Sequence, residues 1–257
     1  AKDAETDGEN GFDELDGAID VDTFTIGSST YAIVVSQDDN GVQIIDISDP
    51  TNIVAKDSET DGENGFDKLE TLTGVDTFTI GSGTYAIVVS WDGLSAVTII
   101  DISDPTNIVV TDTETDGENG FDDFFFAIDV DTFTIGSSTY AIVLGSGSDS
   151  VQMFDISDPT DIVAKDSETD EANGFTNLDN ATHVDTFAIG SSTYAIVVSA
   201  DGVQIIDISD PTNIVAKDAE TDEVNGFTNL EGASHVATFK IGSSTYAIVT
   251  GDGVQII

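Results

Sequence analysis

The sequence contains no cysteine and very few basic residues. Without cysteine, neither disulfides nor thiolate metal sites can form. The chain has 6 basic residues, all of them lysine, against 50 acidic ones, which gives a net charge of -44. No basic stripe is available to displace phosphate counterions, which argues against nucleic acid and anionic membrane surfaces as partners. Cations are the partners that this charge favours.

Long apolar runs are also absent. No stretch approaches the roughly 20 apolar residues that a membrane-spanning helix needs, so membrane insertion is not expected. Hydrophobic residues nevertheless make up 39% of the chain, enough for a packed core, which excludes a disordered acidic tail. No signal peptide is visible and the chain starts at Ala1 without methionine, so we expect a mature form or an excised segment.

The dominant feature of the sequence is repetition. A block reading Asp-x-Glu-Thr-Asp-x-x-Asn-Gly-Phe begins at Asp3, Asp57, Asp112, Asp166 and Asp218. A fixed period of roughly fifty residues is typical of propeller and solenoid arrays. A repeat places the same residues at several positions, whereas an active site usually needs different residues that converge on one. The pattern therefore says more about architecture than about chemistry.

Each repeat reads as four β-strands and no helix. In the second repeat, residues 75–80 alternate between apolar and polar, and residues 85–90 and 97–102 are short apolar runs. Residues 108–114 read as a fourth, more polar strand. Four antiparallel strands make one propeller blade, and the acidic fourth strand would protect its outer edge from aggregation. We therefore predict an all-β fold, a five-bladed β-propeller of four-stranded antiparallel blades.

The two ends of the chain carry complementary parts of one blade. Residues 1–3 have the same sequence as part of the predicted fourth strand in other repeats. The given sequence stops at residues 254–257, which match the predicted third strand. An N-terminal strand that completes the last blade would close a ring, so we expect a single domain over residues 1–257. The alternative, an open stack or a slice of a longer array, would leave residues 254–257 as an unpaired apolar edge.

The segment Val42-Gln-Ile-Ile-Asp-Ile-Ser-Asp-Pro50 resembles the LVIVD repeat and the turn that follows it. It recurs from Val97, Val151 and Val203, and is cut short after Val254. The acidic insertion lengthens each unit beyond the commoner short form of this family. The near-identity of the units is similar to tandem-repeat surface proteins of marine archaea and bacteria. The resemblance implies an exported β-propeller, extracellular or at the cell surface, mostly without assigned chemistry.

The acidic block is the main candidate site. Asp3, Glu5 and Asp7 alternate, so in an extended chain their carboxylates share one face. With carbonyls from residues 8–11 they could surround calcium, which takes six to eight oxygen ligands. The EF-hand template fits these loops poorly, because only the first repeat, at Glu14, has the glutamate of its twelfth position. The alternative is a solvated acidic loop with a left-handed Asn-Gly turn. The equivalent candidate ligands are Asp57, Glu59, Asp61, Asp112, Glu114, Asp116, Asp166, Glu168, Asp170, Asp218, Glu220 and Asp222.

A second candidate metal site comes from five aligned residues just before the predicted first strands. They are Asp20, Gly74, Asp129, His183 and His235. The first strand of a propeller blade lines the central channel, so these side chains would meet around its mouth. Two histidines and two carboxylates could bind zinc or another transition metal. Their alternative role is that of polar rim residues in contact with water.

A third candidate site is an aromatic face that only some repeats carry. Phe124, Phe125 and Phe126 stand where the first repeat has Leu-Asp-Gly, and we expect Phe124 to fill the leucine core position. Phe125 and Phe126, together with Trp91 and Leu94 from an enlarged loop of the neighbouring repeat, would bind a partner once per molecule. The alternative is local packing of one loop on another.

The sequence contains no arrangement of a nucleophile and a base. With 2 histidines for five repeats, a repeated Ser-His dyad is impossible. The favoured function is therefore a non-enzymatic extracellular propeller, a structural or assembly module whose acidic loops bind cations. Two alternatives remain open: a protein- or glycan-binding module that uses the aromatic face, and a metal-dependent hydrolase or lyase at the channel.

Overall fold

The computed structural model describes residues 2–200 and 202–257, except for the side chain of Asp92. Its secondary structure within these ranges is nineteen β-strands, which form five antiparallel sheets. No helix of the described residues is long and apolar enough to cross a membrane. The predicted all-β class is confirmed.

Sheets 1 and 2 each have four strands in sequential order. The strands of sheet 1 are β1 (Ala18–Ile26), β2 (Ser29–Ser36), β3 (Gly41–Asp46) and β4 (Val54–Thr60). Those of sheet 2 are β5 (Leu72–Ile80), β6 (Gly83–Asp92), β7 (Leu94–Asp101) and β8 (Val109–Thr115).

Sheets 3 and 4 repeat this order, and sheet 5 has three strands. The strands of sheet 3 are β9 (Ala127–Ile135), β10 (Ser138–Gly145), β11 (Ser150–Asp155) and β12 (Val163–Thr169). Those of sheet 4 are β13 (Ala181–Ile189), β14 (Ser192–Ser199), β15 (Gly202–Asp207) and β16 (Val215–Thr221). Sheet 5 consists of β17 (His235–Ile241), β18 (Ser244–Thr250) and β19 (Val254–Ile256).

Tight turns set the register of each sheet. Ile26 pairs with Ser29, so a two-residue turn joins β1 to β2. The first turn residue, Gly27, has φ 63, in the left-handed region that glycine adopts without a steric penalty. A one-residue slip would move every apolar side chain to the other face, so this turn fixes which residues reach the core.

Contacts divide the chain into two compact units. The first comprises Ala1–Thr115 with Ser157–Ile162, and the second comprises Asp116–Ile156 with Val163–Ile257. In the first unit, sheets 1 and 2 share one apolar core. In the second, sheet 3 packs on sheet 4, and sheet 4 packs on sheet 5. The single domain expected over residues 1–257 stays a prediction.

Sheet-to-sheet packing explains why the middle strands are apolar on both faces. In β6, Ala86 and Val88 on one face and Ile87 and Val89 on the other are all at most 1% exposed. Four-stranded meanders that stack face to face are propeller blades, so the predicted β-propeller fold is confirmed. Burying aliphatic side chains of this size stabilises the fold by about 1.5–3 kcal/mol each.

The predicted closure of the fold by the N-terminal strand stays a prediction. β19 pairs with β18, and residues 2–6 lie outside the described strands. The side chains of Val254 and Ile256 in β19 are 61% and 60% exposed.

Candidate functional site

Each acidic block leaves an outer strand and turns back at its Asn-Gly pair. Asn64 and Gly65 have φ 50 and φ 90, so both lie in the left-handed region and form the predicted turn. The Nδ2 atom of Asn64 donates a hydrogen bond of 2.8 Å to Oε2 of Glu59. The same Asn-to-Glu bond forms from Asn10 to Glu5, from Asn173 to Glu168 and from Asn225 to Glu220.

The first carboxylate of the block accepts a backbone hydrogen bond from a distant turn. Oδ2 of Asp57, in β4, accepts from the backbone N of Ile108, the residue before β8, at 2.8 Å. Asp218 is the exception, because among the described residues it accepts only from the backbone N of Ala219, at 3.1 Å. Equivalent bonds join Asp3 to Ile53, Asp112 to Ile162 and Asp166 to Ile214.

The third carboxylate of the block fastens the loop onto the core. Oδ1 of Asp61 accepts from the backbone N of Leu69 at 2.8 Å, and Leu69 is fully buried. In the third repeat the same bond joins Asp116 to Phe124, which is also fully buried. The prediction that Phe124 fills the leucine core position is therefore confirmed. The remaining bonds join Asp7 to Leu15, Asp170 to Leu178 and Asp222 to Leu230.

The three acidic positions thus lie close together in sequence but point to different partners. In sheets 1 to 4 the first two belong to the outer strand and the third to the loop that follows it. The first accepts from a neighbouring turn, the second from the loop asparagine and the third from the core. Over residues 2–200 and 202–257, no three His, Asp or Glu side chains are grouped so that they could hold one metal ion. Calcium binding by these loops stays a prediction.

Glu14, the EF-hand-like glutamate of the first repeat, lies in the interior and is only 8% exposed. Its Oε1 accepts from the Thr60 hydroxyl, and its buried Oε2 has no hydrogen-bond partner. Burial raises the pKa of Glu14, the Thr60 bond opposes that rise, and the negative charges of Asp39, Asp7 and Asp13 add to it. Glu14 therefore resembles a buried acid more than a calcium ligand.

The fourth repeat has an amide side chain at the position of Glu14. Asn177 occupies it, and its Nδ2 donates to the backbone oxygens of Val203 and Glu220 at 3.0 and 3.1 Å. In the first repeat, a side chain on Gly41 would collide with the Glu14 carboxylate and approach the Glu59 backbone oxygen to 2.9 Å. In the first repeat, the carboxyl group of Glu14 thus occupies a position where the neighbouring backbone oxygens are hydrogen-bond acceptors and need a donor.

The aligned residues of the second candidate site lie inside the first strands, and the prediction that they precede these strands is wrong. Most first strands begin two residues earlier, as β1 does at Ala18, because Ala18 already pairs with Ser36 of β2 across a register shift. Asp20 accepts from the backbone N of Val75 at 2.9 Å, and Asp129 from that of Val184 at 2.7 Å. Both carboxylates therefore join adjacent strands.

The two histidines of this set meet within the second unit. The ring centroids of His183 and His235 are 5.1 Å apart, and Nδ1 of His183 lies 3.5 Å from Oδ2 of Asp129. Burial lowers the pKa of His183 to about 4, and the charge of His235 contributes. His183 is therefore neutral at pH 7, the form that can bind a metal. A metal held by Asp20, Asp129, His183 and His235 stays a prediction.

A second set of inner-strand carboxylates was not predicted. Asp22 accepts from the backbone N of Thr77 at 2.9 Å, and Asp131 from that of Thr186 at 2.6 Å. Burial raises the pKa of Asp131 to about 6, and the charge of Asp185 adds to the shift. The available signal was the Asp-Val-Asp pattern itself, because aspartate is depleted in strands unless its carboxylate has a specific partner.

The aromatic residues take part in two separate local structures. Phe125 and Phe126 stack with centroids 4.3 Å apart and are half-buried. A Cβ on Gly147 would come within 2.7 Å of both rings, so the pair packs on its own sheet. Trp91 and Leu94 lie in β6 and β7, and the prediction of an enlarged loop is wrong because their hairpin simply continues the pairing. They are 39% and 52% exposed.

Comparison with known proteins identifies the repeat. The LVIVD repeat model matches residues 28–61, 81–113 and 191–219. No curated protein sequence matches the chain.

Among solved structures, a functionally unknown protein from Desulfotomaculum acetoxidans has a TM-score of 0.62 at 13% identity. The alignment covers 95% of this chain and 69% of that one. A Lactobacillus plantarum protein has a TM-score of 0.63 at 10% identity, over 88% of this chain and 63% of that one. A thermostable family-43 glycoside hydrolase has a TM-score of 0.54 at 12% identity, over 93% and 88%.

At these identities the similarity extends to the fold alone. The match to the LVIVD repeat model and the sequential strand order of the sheets both agree with the resemblance found in the sequence. The chain carries LVIVD repeats at three places and has the β-propeller fold.

Proposed function

We propose that the protein is a non-catalytic extracellular module, structural or assembly-forming, whose acidic loops bind cations. The observation that carries the proposal is that the repeated carboxylates make the same hydrogen bonds in successive sheets. In sheet after sheet, Asp57 and its equivalents bond a distant backbone N–H, and Asp61 and its equivalents bond the core. Residues that make the same stabilising hydrogen bond in several repeats favour a structural function over a catalytic one.

The same loops support a cation-binding role. Each bonded carboxylate keeps lone pairs that its one or two backbone donors do not use. Glu59, for example, accepts from Asn64 through Oε2, and this bond is exposed at the surface. A net charge of -44 also attracts counterions at every accessible carboxylate. Calcium, which prefers carboxylate and carbonyl oxygens, is the cation that this donor set favours.

Calcium and sodium titrations test the cation-binding part. Sodium chloride should raise the melting temperature by screening repulsion between carboxylates. After chelation, millimolar calcium should raise it further than sodium chloride at equal ionic strength, because binding to the native state adds stability. Calorimetry should show several calcium ions bound per chain. If both salts act equally at equal ionic strength, only screening remains and the cation sites are rejected.

A substrate screen tests the non-catalytic part. The family-43 glycoside hydrolase shares only the fold with this chain. Glycosidases use two carboxyl groups about 5–9.5 Å apart that remain free to meet the sugar. Here Asp22 and Asp131 of the inner strands bond backbone amides of the next strand. Turnover of aryl glycosides that disappears with Asp131→Asn would overturn the non-catalytic proposal.

A second candidate function, partner binding, rests on the β6–β7 hairpin. Trp91 and Leu94 project from this extension of sheet 2 and are 39% and 52% exposed. Exposed tryptophan is enriched at protein interfaces and at sugar-binding surfaces. Replacing both by serine should abolish partner or self-association and leave the melting temperature within a few degrees. A change in stability alone would limit the hairpin to a role in packing.

A further inference from the structure

The first strands of sheets 4 and 5 bring the only two histidines of the chain together. His183 of β13 pairs with Val198 of β14, and His235 of β17 pairs with Thr250 of β18. The two histidines hold the same position in successive repeats, so their side chains meet where the two sheets face each other. Their ring centroids are 5.1 Å apart and their ring planes are inclined by 43°.

This ring separation suits a metal ion held between the two imidazoles. A zinc–nitrogen bond of about 2.0–2.1 Å places the ion about 3.2 Å from each ring centroid. At a tetrahedral angle the two centroids are then about 5.2 Å apart, which agrees with the observed 5.1 Å. The aromatic pairs of the same sheets differ, because Phe187 with Tyr194 and Phe239 with Tyr246 stack at only 24° and 23°.

A buried nitrogen without a partner indicates which atom of His183 would bind the metal. Among the described residues Nδ1 of His183 makes no hydrogen bond, yet it lies 3.5 Å from Oδ2 of Asp129 in β9. Asp129 is 7% exposed, and the same oxygen accepts from the backbone N of Val184 at 2.7 Å. A metal on Nε2 would fix the ring proton on Nδ1, beside this carboxylate. Metal-binding histidines are commonly oriented by a carboxylate in this way.

His235 offers a metal the same ring nitrogen. Its Nδ1 lies 3.3 Å from the hydroxyl oxygen of Ser234, which leaves Nε2 for the metal. His235 is exposed and His183 is half-buried, so an ion can reach the pair from solvent. The negative charge of Asp185, two residues beyond His183 in β13, acts on the same ring. Fixed negative charge beside the pair attracts a cation.

We propose that His183 and His235 bind one divalent transition-metal ion through their Nε2 atoms, and that Asp129 orients His183. Within residues 2–200 and 202–257 no three His, Asp or Glu side chains are grouped around one point. The protein therefore supplies two ligands, and water completes the coordination. Imidazole nitrogens suit copper, nickel and zinc, whereas calcium and magnesium take oxygen ligands.

This inference goes beyond the proposed function, which assigns cations to the acidic loops only. It also narrows the four-residue metal site predicted from the sequence, because Asp20 belongs to the first unit and accepts from Val75 there. The histidine pair occurs once in the sequence, so we expect one ion per chain. An ion held by both rings links sheet 4 to sheet 5 and should raise the melting temperature.

Titration of the full chain with copper(II), in the presence of millimolar calcium, tests the site. Copper is the probe because it binds nitrogen ligands more tightly than the other divalent first-row metals. Calcium occupies carboxylates and does not compete for imidazole. Calorimetry should show one tightly bound copper ion per chain, and the electron paramagnetic resonance spectrum should show coupling to two imidazole nitrogens.

Substitutions locate the ion. His235→Gln and His183→Gln each remove a ligand and should lower copper affinity more than about 100-fold, because loss of an outer-shell partner alone costs about 10–100-fold. Asp129→Asn keeps both ligands and an oxygen for the Val184 amide, so it should cost about 10–100-fold and retain the two-nitrogen spectrum. The control, Asp104→Asn, removes one charge from an exposed turn and should leave affinity unchanged. Circular dichroism checks that each variant is folded, and His235 is exposed, so its substitution should be tolerated.

Three results would overturn the proposal. The first is a copper spectrum with oxygen ligands alone. The second is equal copper affinity for the parent chain and the His235→Gln variant. The third is release of copper on addition of calcium, because carboxylates would then hold the ion. Calcium binding by the acidic loops is measured separately, without copper, so the histidine site and the proposed cation-binding function can fail independently.

Discussion

The carboxylate of Asp57 and the backbone amide of Ile108 lie 2.8 Å apart, although 51 residues separate them in sequence. This bond ties the outer strand of sheet 1 to the turn that precedes the outer strand of sheet 2. The same relationship recurs for Asp3, Asp112 and Asp166. The negative charge of the repeats is thus part of the framework as well as part of the surface.

Removing one of these carboxylates should destabilise the fold. Asp57→Ala leaves the Ile108 amide without its acceptor and should lower the free energy of unfolding by about 1–2 kcal/mol. The matched control is Asp218→Ala. Within residues 2–200 and 202–257 the Asp218 carboxylate accepts only from the adjacent backbone N of Ala219, so stability should change by less than about 0.5 kcal/mol. Urea denaturation measures both. Equal losses in the two variants would show that the bond to the distant turn contributes nothing.

The buried carboxyl of Glu14 should make the first repeat sensitive to pH. Its pKa is raised by burial from the ordinary value of 4.5, so its stabilising contribution is present below that value and is lost as pH rises through the folded pKa. Glu14→Gln keeps a hydrogen-bond acceptor and adds a donor for the nearby backbone oxygens. It should equal the parent at pH 4 and exceed it by about 1–3 kcal/mol at pH 8, the cost of an unsatisfied buried group.

Asn177→Asp provides the converse experiment in the fourth repeat. It replaces the amide that donates to Val203 and Glu220 by a group that must be protonated to do so. The variant should lose stability at pH 8 and recover part of it at pH 4. Identical pH profiles for the parent, Glu14→Gln and Asn177→Asp proteins would contradict the role assigned to this position.

Asp131 should contribute a second pH dependence. Burial and the neighbouring Asp185 raise its pKa from 3.8 to about 6. A raised pKa means that its stabilising contribution, complete below pH 3.8, is lost as the pH rises through about 6. Asp131→Asn keeps an oxygen that accepts from Thr186 and removes the charge, so stability should stay flatter across this range. A profile as steep as that of the parent chain would show that another group titrates.

An engineered disulfide tests the predicted N-terminal closure. In sheet 4, Ala219 pairs with Gln204, and the same repeat positions are Ala4 and Gln255. The double variant Ala4→Cys with Gln255→Cys should oxidise readily if the closing pair forms, since a disulfide needs Cα atoms about 4.4–6.8 Å apart. The chain has no other cysteine, so any internal bridge must join this pair.

The positive control for closure is Thr98→Cys with Thr113→Cys. These residues already pair at the same register position of sheet 2, with hydroxyl oxygens 3.1 Å apart. Non-reducing electrophoresis and mass spectrometry report the bridge in each variant. Efficient oxidation of the control together with free thiols at positions 4 and 255 would refute closure by residues 2–7.

The aromatic pair should behave as a packing element of sheet 3. Phe125→Asp with Phe126→Gly restores the residues of the first repeat and exposes the region around Gly147. Because both rings are half-buried, the loss should reach about 1–3 kcal/mol in total, with no change in association state. Calorimetry and sedimentation velocity separate the two effects. Loss of association at unchanged stability would assign the pair to an interface.

Much of the architecture follows from the sequence alone. The four strands per repeat, the left-handed Asn-Gly turns and the core position of Phe124 are all visible in local patterns. Each depends on residues close in sequence: alternation of apolar side chains, the conformational freedom of glycine and asparagine, or alignment with a leucine. Repetition strengthened these signals, because a pattern that recurs in five repeats does not arise by chance.

The roles of the carboxylates were decided only by the tertiary structure. Asp57 bonds the backbone of Ile108, and any residue except proline offers that donor, so the partner has no sequence signature. The burial of Glu14 likewise depends on Gly41 and Thr60, which reach it through strand pairing. The sequence by itself determined which residues repeat and which form strands. Sheet packing determined which of the identical acids meet a donor and which stay exposed.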